Sequence, residues 1–129
     1  MKLLDTDHCI AILRKKLDLG ERVAPDEELA TTAISVAELT HGANRSSRRE
    51  DNLARLEVLL SALIILPFDD AAGRRFGVLR AELEARGKPL DDLDLQIASI
   101  AIENNFPLVT NNTKHFKRVD GLQLLNWMD

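Results

Sequence analysis

The run Leu3-Leu4-Asp5-Thr6-Asp7 places two acids directly behind apolar residues, where a buried strand would end. Carboxylates are seldom taken out of water unless they are paired, hydrogen-bonded or bound to a cation. Three more polar groups raise the same question. Ser35-Val36-Ala37-Glu38 follows a β-branched stretch, Asp94 lies inside an apolar helical pattern, and Thr110-Asn111-Asn112-Thr113 follows Pro107-Leu108-Val109. Each has an ordinary structural explanation. Asp7 reads as the N-cap of the helix that follows, which leaves Asp5 without a local role. Ser35 and Glu38 match a capping box, in which the serine caps and the glutamate reaches back to the cap amide. Asp94 shares a helix face with Ile97, Ala98 and Ala101, so a cap does not explain it. The Thr-Asn-Asn-Thr run reads as turn chemistry, or as groups that orient water or phosphate.

These residues depend on the elements that carry them. Lys2–Leu4, Leu29–Ile34, Leu63–Leu66 and Pro107–Thr110 read as short strands, with a fifth at Leu122–Leu125. Helices are expected from Asp7 to Lys16, from Ser35, from about Arg48 to Ala62, from Asp69 or Asp70 to Gly87, and from Asp91 to about Asn105. Short apolar strands alternating with helices predict an α/β fold, a parallel sheet covered on both faces. Ligands of such sheets bind beyond the carboxyl ends of the strands. Asp5, Glu38 and Asp94 are all expected at that edge. Three carboxylates from separate segments point to a hard divalent cation, Mg²⁺ or Mn²⁺.

The composition narrows the field. The chain has 129 residues, 45% of them hydrophobic and 29% charged, as expected for one domain. No apolar run approaches a membrane span and the N-terminus does not read as a signal peptide. The single cysteine, Cys9, excludes an internal disulfide framework and fits the cytoplasm. A net charge of −4 does not advertise a nucleic-acid binder, although acids in a pocket with bases outside it give the same sum. His8, His41 and His115 are scattered and lack zinc-ligand spacing, so surface or capping roles are expected for them. No GxGxxG, P-loop or GxSxG sequence occurs.

In that order, LLDTDHC, SVAEL, GKPLDDLDLQIA and LVTNNTKHFKRVDGL resemble the PIN-domain ribonuclease toxins of VapBC toxin–antitoxin modules. The resemblance covers essentially the whole chain, as a single PIN domain over 1–129. It implies a three-layer α/β/α fold with a mostly parallel sheet, and Mg²⁺- or Mn²⁺-dependent endoribonuclease activity on tRNA or rRNA loops. A cognate VapB-type antitoxin is implied as inhibitor, together with a homodimer and a toxin–antitoxin hetero-oligomer. The family's acids fall on Asp5, Glu38 and Asp94, the implied catalytic and metal residues. A fourth position, often Asp, is Asn112 here, and the usual DTN or DTS opening is DTD, so Asp7 is either a cap or a further carboxylate.

Asn112, Thr110 and Thr6 are candidates for positioning phosphate or water. Arg45, Arg48, Arg49, Lys114, Lys117 and Arg118 are candidates for steering RNA. Two rival readings are an Asp-nucleophile phosphatase of the haloacid-dehalogenase type, which also opens on Asp-x-Asp, and a PIN-like module that only binds a partner.

Overall fold

The computed structural model describes residues 1–128. Twelve elements follow one another along these residues: β1 (Lys2–Leu4), α1 (Thr6–Leu13), a 3₁₀ turn (Leu19–Glu21), β2 (Leu29–Thr32), α2 (Ala33–Arg45), α3 (Arg49–Ser61), β3 (Ile64–Leu66), α4 (Asp70–Ala85), α5 (Asp92–Asn104), β4 (Leu108–Val109), α6 (Thr113–Phe116) and β5 (Leu124–Leu125). All four strand pairings are parallel, in the order β3-β2-β1-β4-β5. Leu3 pairs with Ala30 on one side and Leu108 on the other, so β1 is the central strand. The chain leaves β1 toward β2 and returns later on the far side as β4. The crevice at the carboxyl ends of β1 and β4 is therefore the switch point of the sheet.

Successive side chains of a strand face opposite ways, and β1 shows the result. Leu3 enters a core with Leu79 and Leu83 of α4, Leu95, Ile97 and Ile100 of α5, and Phe116 of α6. Leu4 enters a second core with Cys9 of α1, Leu39 of α2, Leu56 of α3, and Trp127. Helices thus cover both faces, giving the three layers the sequence predicts. The edge strand β3 is an exception, with Ile64 and Ile65 exposed.

Helix ends follow local chemistry. Asp69 Oδ1 accepts from the Ala72 amide at 2.9 Å and starts α4. Gly87, with φ of 66°, lies just past its end, where a left-handed residue without Cβ is favoured. Asn105, φ 57°, closes α5 in the same conformation.

Most elements are a residue or two shorter than the sequence reading, and three boundaries differ in ways that bear on the crevice. The first helix is capped by Asp5, whose side chain accepts from the Thr6 amide, and not by Asp7. It ends at Leu13, and Lys15 is left-handed with φ 57°, so the helix stops short of Lys16. The second strand ends at Thr32 and not Ile34, because Thr32 itself caps α2: its Oγ1 accepts from the Ser35 amide at 3.0 Å. The Ser35–Glu38 capping box is therefore not formed, and Glu38 lies in the second turn of α2.

Candidate active site

Asp5 continues the sheet for one residue, its amide donating to Val109 O at 2.9 Å, before α1 begins. The residue is 5% exposed. Oδ1 accepts from the Thr6 amide at 2.8 Å and Oδ2 from Thr110 Oγ1 at 2.6 Å. Burial pushes this carboxyl up to about 6; the Thr110 hydrogen bond opposes the rise, and the charges of Asp7 and Asp94 add to it. Thr110 is fully buried at the end of β4 and also accepts from the Asn112 amide at 3.0 Å. Replacing it with valine leaves that amide without a partner and removes the donor from Asp5. Thr110→Val is expected to cost about 1–3 kcal/mol of stability, read as a lower urea midpoint.

Glu38 arrives from α2. Thr6 Oγ1 sits 2.8 Å from both Glu38 Oε1 and Ser35 Oγ. An ionised carboxylate only accepts, so the Thr6 proton goes to Glu38 and Ser35 donates to Thr6. This chain of hydroxyls ties the start of α1 to α2 and points Glu38 toward the crevice.

Asp94 comes from the first turn of α5, at the end of the stripe whose Ile97, Ala98 and Ala101 are completely buried. Asp91 caps the helix, accepting from the Asp94 amide at 3.4 Å. The Asp94 carboxylate is half-buried and receives Asn112 Nδ2 at 3.4 Å. Its carboxyl is raised to about 6, first by burial and then by the charges of Asp91, Glu38 and Asp7, with His115 opposing. Asn112 itself opens α6 without a side-chain cap bond.

The structure thus brings Asp5, Glu38, Asp94 and Asn112 to one crevice, with Thr6 and Thr110 between them. It also brings Asp7, which the sequence reading left as either a cap or a further carboxylate. Asp7 Oδ2 accepts from the Asn111 amide at 2.9 Å, and its Oδ1 lies 2.7 Å from His8 Nδ1. His8 was expected at the surface or as a cap and is instead fully buried. Ser35 and His8 both gave no local signal of this role, because their partners come from distant segments. Of the bases expected to steer RNA, Arg45, Arg48, Arg49, Lys114 and Lys117 are exposed. Arg118 donates to the Pro89 carbonyl at 2.7 Å, which gives it a structural task.

Several carboxylates within electrostatic reach of one another, two of them with raised pKa values, form an all-oxygen donor set suited to a hard cation. Among the described residues no three His, Cys, Asp or Glu side chains form a ready-made metal cage. Thr6 and Thr110 occupy oxygens of Glu38 and Asp5 that a cation would otherwise meet.

Fold and site define an α/β/α domain with a carboxylate-lined crevice at its switch point. The family model of the PIN domain matches residues 2–122. "Ribonuclease VapC2" of Rickettsia felis is 40% identical over 97% of this chain and 96% of its own length. "tRNA(fMet)-specific endonuclease VapC" of Shigella flexneri is 35% identical over 97% and 96%. Among solved structures, VapBC2 of Rickettsia felis bound to a promoter DNA fragment superposes with a TM-score of 0.90, 38% identity and 98% of both chains covered. DNA-bound VapBC of Salmonella typhimurium gives 0.92 at 34% identity, over 98% of this chain and 99% of that one. The chain belongs to the PIN domain family, among its VapC ribonucleases. The phosphatase reading is thereby set aside.

Proposed function

We propose that this VapC-type ribonuclease is a Mg²⁺- or Mn²⁺-dependent endonuclease that hydrolyses phosphodiester bonds in RNA loops and is restrained by a small VapB-type antitoxin. The observation that carries the cation dependence is the convergence of Asp5, Glu38 and Asp94, whose hydrogen-bond partners among the described residues include no guanidinium or ammonium. Those three side chains would hold the ion. When bound, it supplies an acidified water and offsets charge that builds on the phosphate. The protein's own groups do the rest. Thr6 and Thr110 fix the rotamers of Glu38 and Asp5, and Asn112 Nδ2 keeps Asp94 oriented and offers a second donor hydrogen to a phosphate oxygen. No side chain of the site is needed as nucleophile.

A tRNA is the first substrate class to test, because relatives are named for tRNA(fMet) cleavage. The antitoxin assignment rests on the VapBC complexes among the structural neighbours. A cleft of about 250 Å³ beside Glu38, lined by Ile10, Leu13, Leu39 and Leu56 with Arg14 and Arg55, is a surface of the kind such a partner needs.

Purified chain should cut tRNA with Mg²⁺ or Mn²⁺ and stop in excess EDTA. Asp94→Asn should lose at least about 100-fold in cleavage rate while remaining folded by circular dichroism. Equal cleavage in EDTA, or by the variant, refutes the mechanism. Absent cleavage together with absent Mn²⁺ binding by calorimetry would favour the partner-binding module instead.

A further inference from the structure

The mechanism above leaves Asp7 and His8 without a task, yet they are among the most constrained polar groups in the molecule. His8, on α1, is completely buried against the C-terminal segment. Its Nε2 lies 3.1 Å from the Trp127 amide, and its Nδ1 lies 2.7 Å from Asp7 Oδ1. The Trp127 N–H can only donate, so Nε2 must accept, and the ring proton that remains is on Nδ1. That proton is aimed at Asp7. The indole of Trp127 packs edge-on against the same imidazole, with ring centroids 6.2 Å apart, which fixes the ring plane. The other oxygen of Asp7 is held from the opposite side by the Asn111 amide, and Thr110 Oγ1 lies 3.3 Å from it. Thr110 is the residue that also binds Asp5. Three segments distant in sequence thus converge to set one carboxylate.

We infer that His8 is a positioning residue: braced by the Trp127 amide, it holds Asp7 turned to the crevice as an additional negative charge for the divalent cation. The inference rests on the cation-dependent reading of the site. Partners that orient carboxylates around a cation typically change affinity or activity about 10–100-fold when removed. His8 acts in this way, through Asp7, and touches neither ion nor substrate.

Two variants separate positioning from mere support of the core. In His8→Gln the amide reaches the Nε2 position and can accept from Trp127, but the donor to Asp7 is gone. In His8→Asn the amide lies at the Nδ1 position and can donate to Asp7, but Trp127 loses its acceptor. Mn²⁺ titrated into the purified full chain by calorimetry should show affinity about 10-fold or more weaker in His8→Gln. The loss in His8→Asn should be clearly smaller, even if that variant melts lower. In an Asp7→Asn background, His8→Gln should add no further loss, since the group it positions is already neutral. Long-range proton–nitrogen spectra of the wild type should show the His8 proton on Nδ1.

Equal losses in the two His8 variants, or additive effects with Asp7→Asn, would overturn the role of His8 and leave the cation reading standing. A proton on Nε2 would do the same. Wild-type chain that binds no Mn²⁺ would overturn both.

Discussion

Asp5→Asn is expected to make the metal-free protein more stable and the enzyme inactive. The carboxyl of Asp5 is raised from 3.8 to about 6, chiefly by burial. A raised acid is a charged form that the folded state disfavours. The penalty is absent below the unfolded value, grows as pH rises from about 4 to 6, and is complete above that. At 1.36 kcal/mol per pKa unit, the rise amounts to about 3 kcal/mol above pH 6, as an upper figure. Asparagine keeps the oxygen that caps α1 through the Thr6 amide, and the Thr110 hydroxyl can turn to accept from the new amide. The variant should therefore melt higher than wild type at pH 7.5 without divalent ions, with the difference closing toward pH 4. Cleavage should fall by about 1,000-fold or more, since a carboxylate proposed to hold the cation is gone. Melting curves at the two pH values, run beside a tRNA cleavage assay, check both halves. A variant that is less stable at pH 7.5 would mean that Asp5 charge is compensated in the resting protein.

The second large effect is expected from the cation itself. At a Mn²⁺ concentration 100 times its dissociation constant, binding to the folded state alone adds about 2.7 kcal/mol. For a domain of this size that is on the order of 10 °C in melting temperature. The gain should be large at pH 7.5 and small at pH 5. Asp5 and Asp94 are both raised to about 6, so at pH 5 an incoming ion must displace a proton from each. Two such displacements weaken the apparent affinity by about 100-fold. EDTA should reverse the stabilisation at pH 7.5 and do little at pH 5. A shift that is the same at both pH values would place the ion somewhere other than between these two carboxylates.

Both expectations begin with acids that were legible in the sequence. An aspartate behind Leu3-Leu4 and another in line with Ile97 and Ala101 break the apolar pattern, although the first of them also turns out to cap α1. The parallel sheet was equally legible, because short apolar strands alternate with helical periods. What could not be read were choices among neighbours of similar chemistry. In Asp5-Thr6-Asp7 either acid can cap a helix. The decision falls to the Asp5 amide bonding Val109 O, which holds Asp5 in the strand and lets α1 start at Thr6. In Thr31-Thr32-Ala33-Ile34-Ser35 there are three possible caps, and the strand register Thr32 to Leu66 settles on Thr32. Glu38 is thereby freed from the capping box to meet Thr6, 32 positions away. His8 escaped notice for the same reason: its partner Trp127 lies 119 positions downstream. The four-residue α6 is too short to leave a periodic pattern of its own.

The hydrogen bond between Thr110 and Asp5 spans 105 positions, and among the described strands β4 and β5 follow all the others in chain order. Contacts of such separation form late, because the chain between their ends must first be ordered. A chain emerging from the ribosome exposes Asp5 early, but β1 then lacks its neighbour on one side and Thr110 has not been synthesised. The crevice assembles only after β4 and Thr110 have emerged. Until then the carboxylates lack the partner that orients them, and the ribonuclease site is harmless while it is being built.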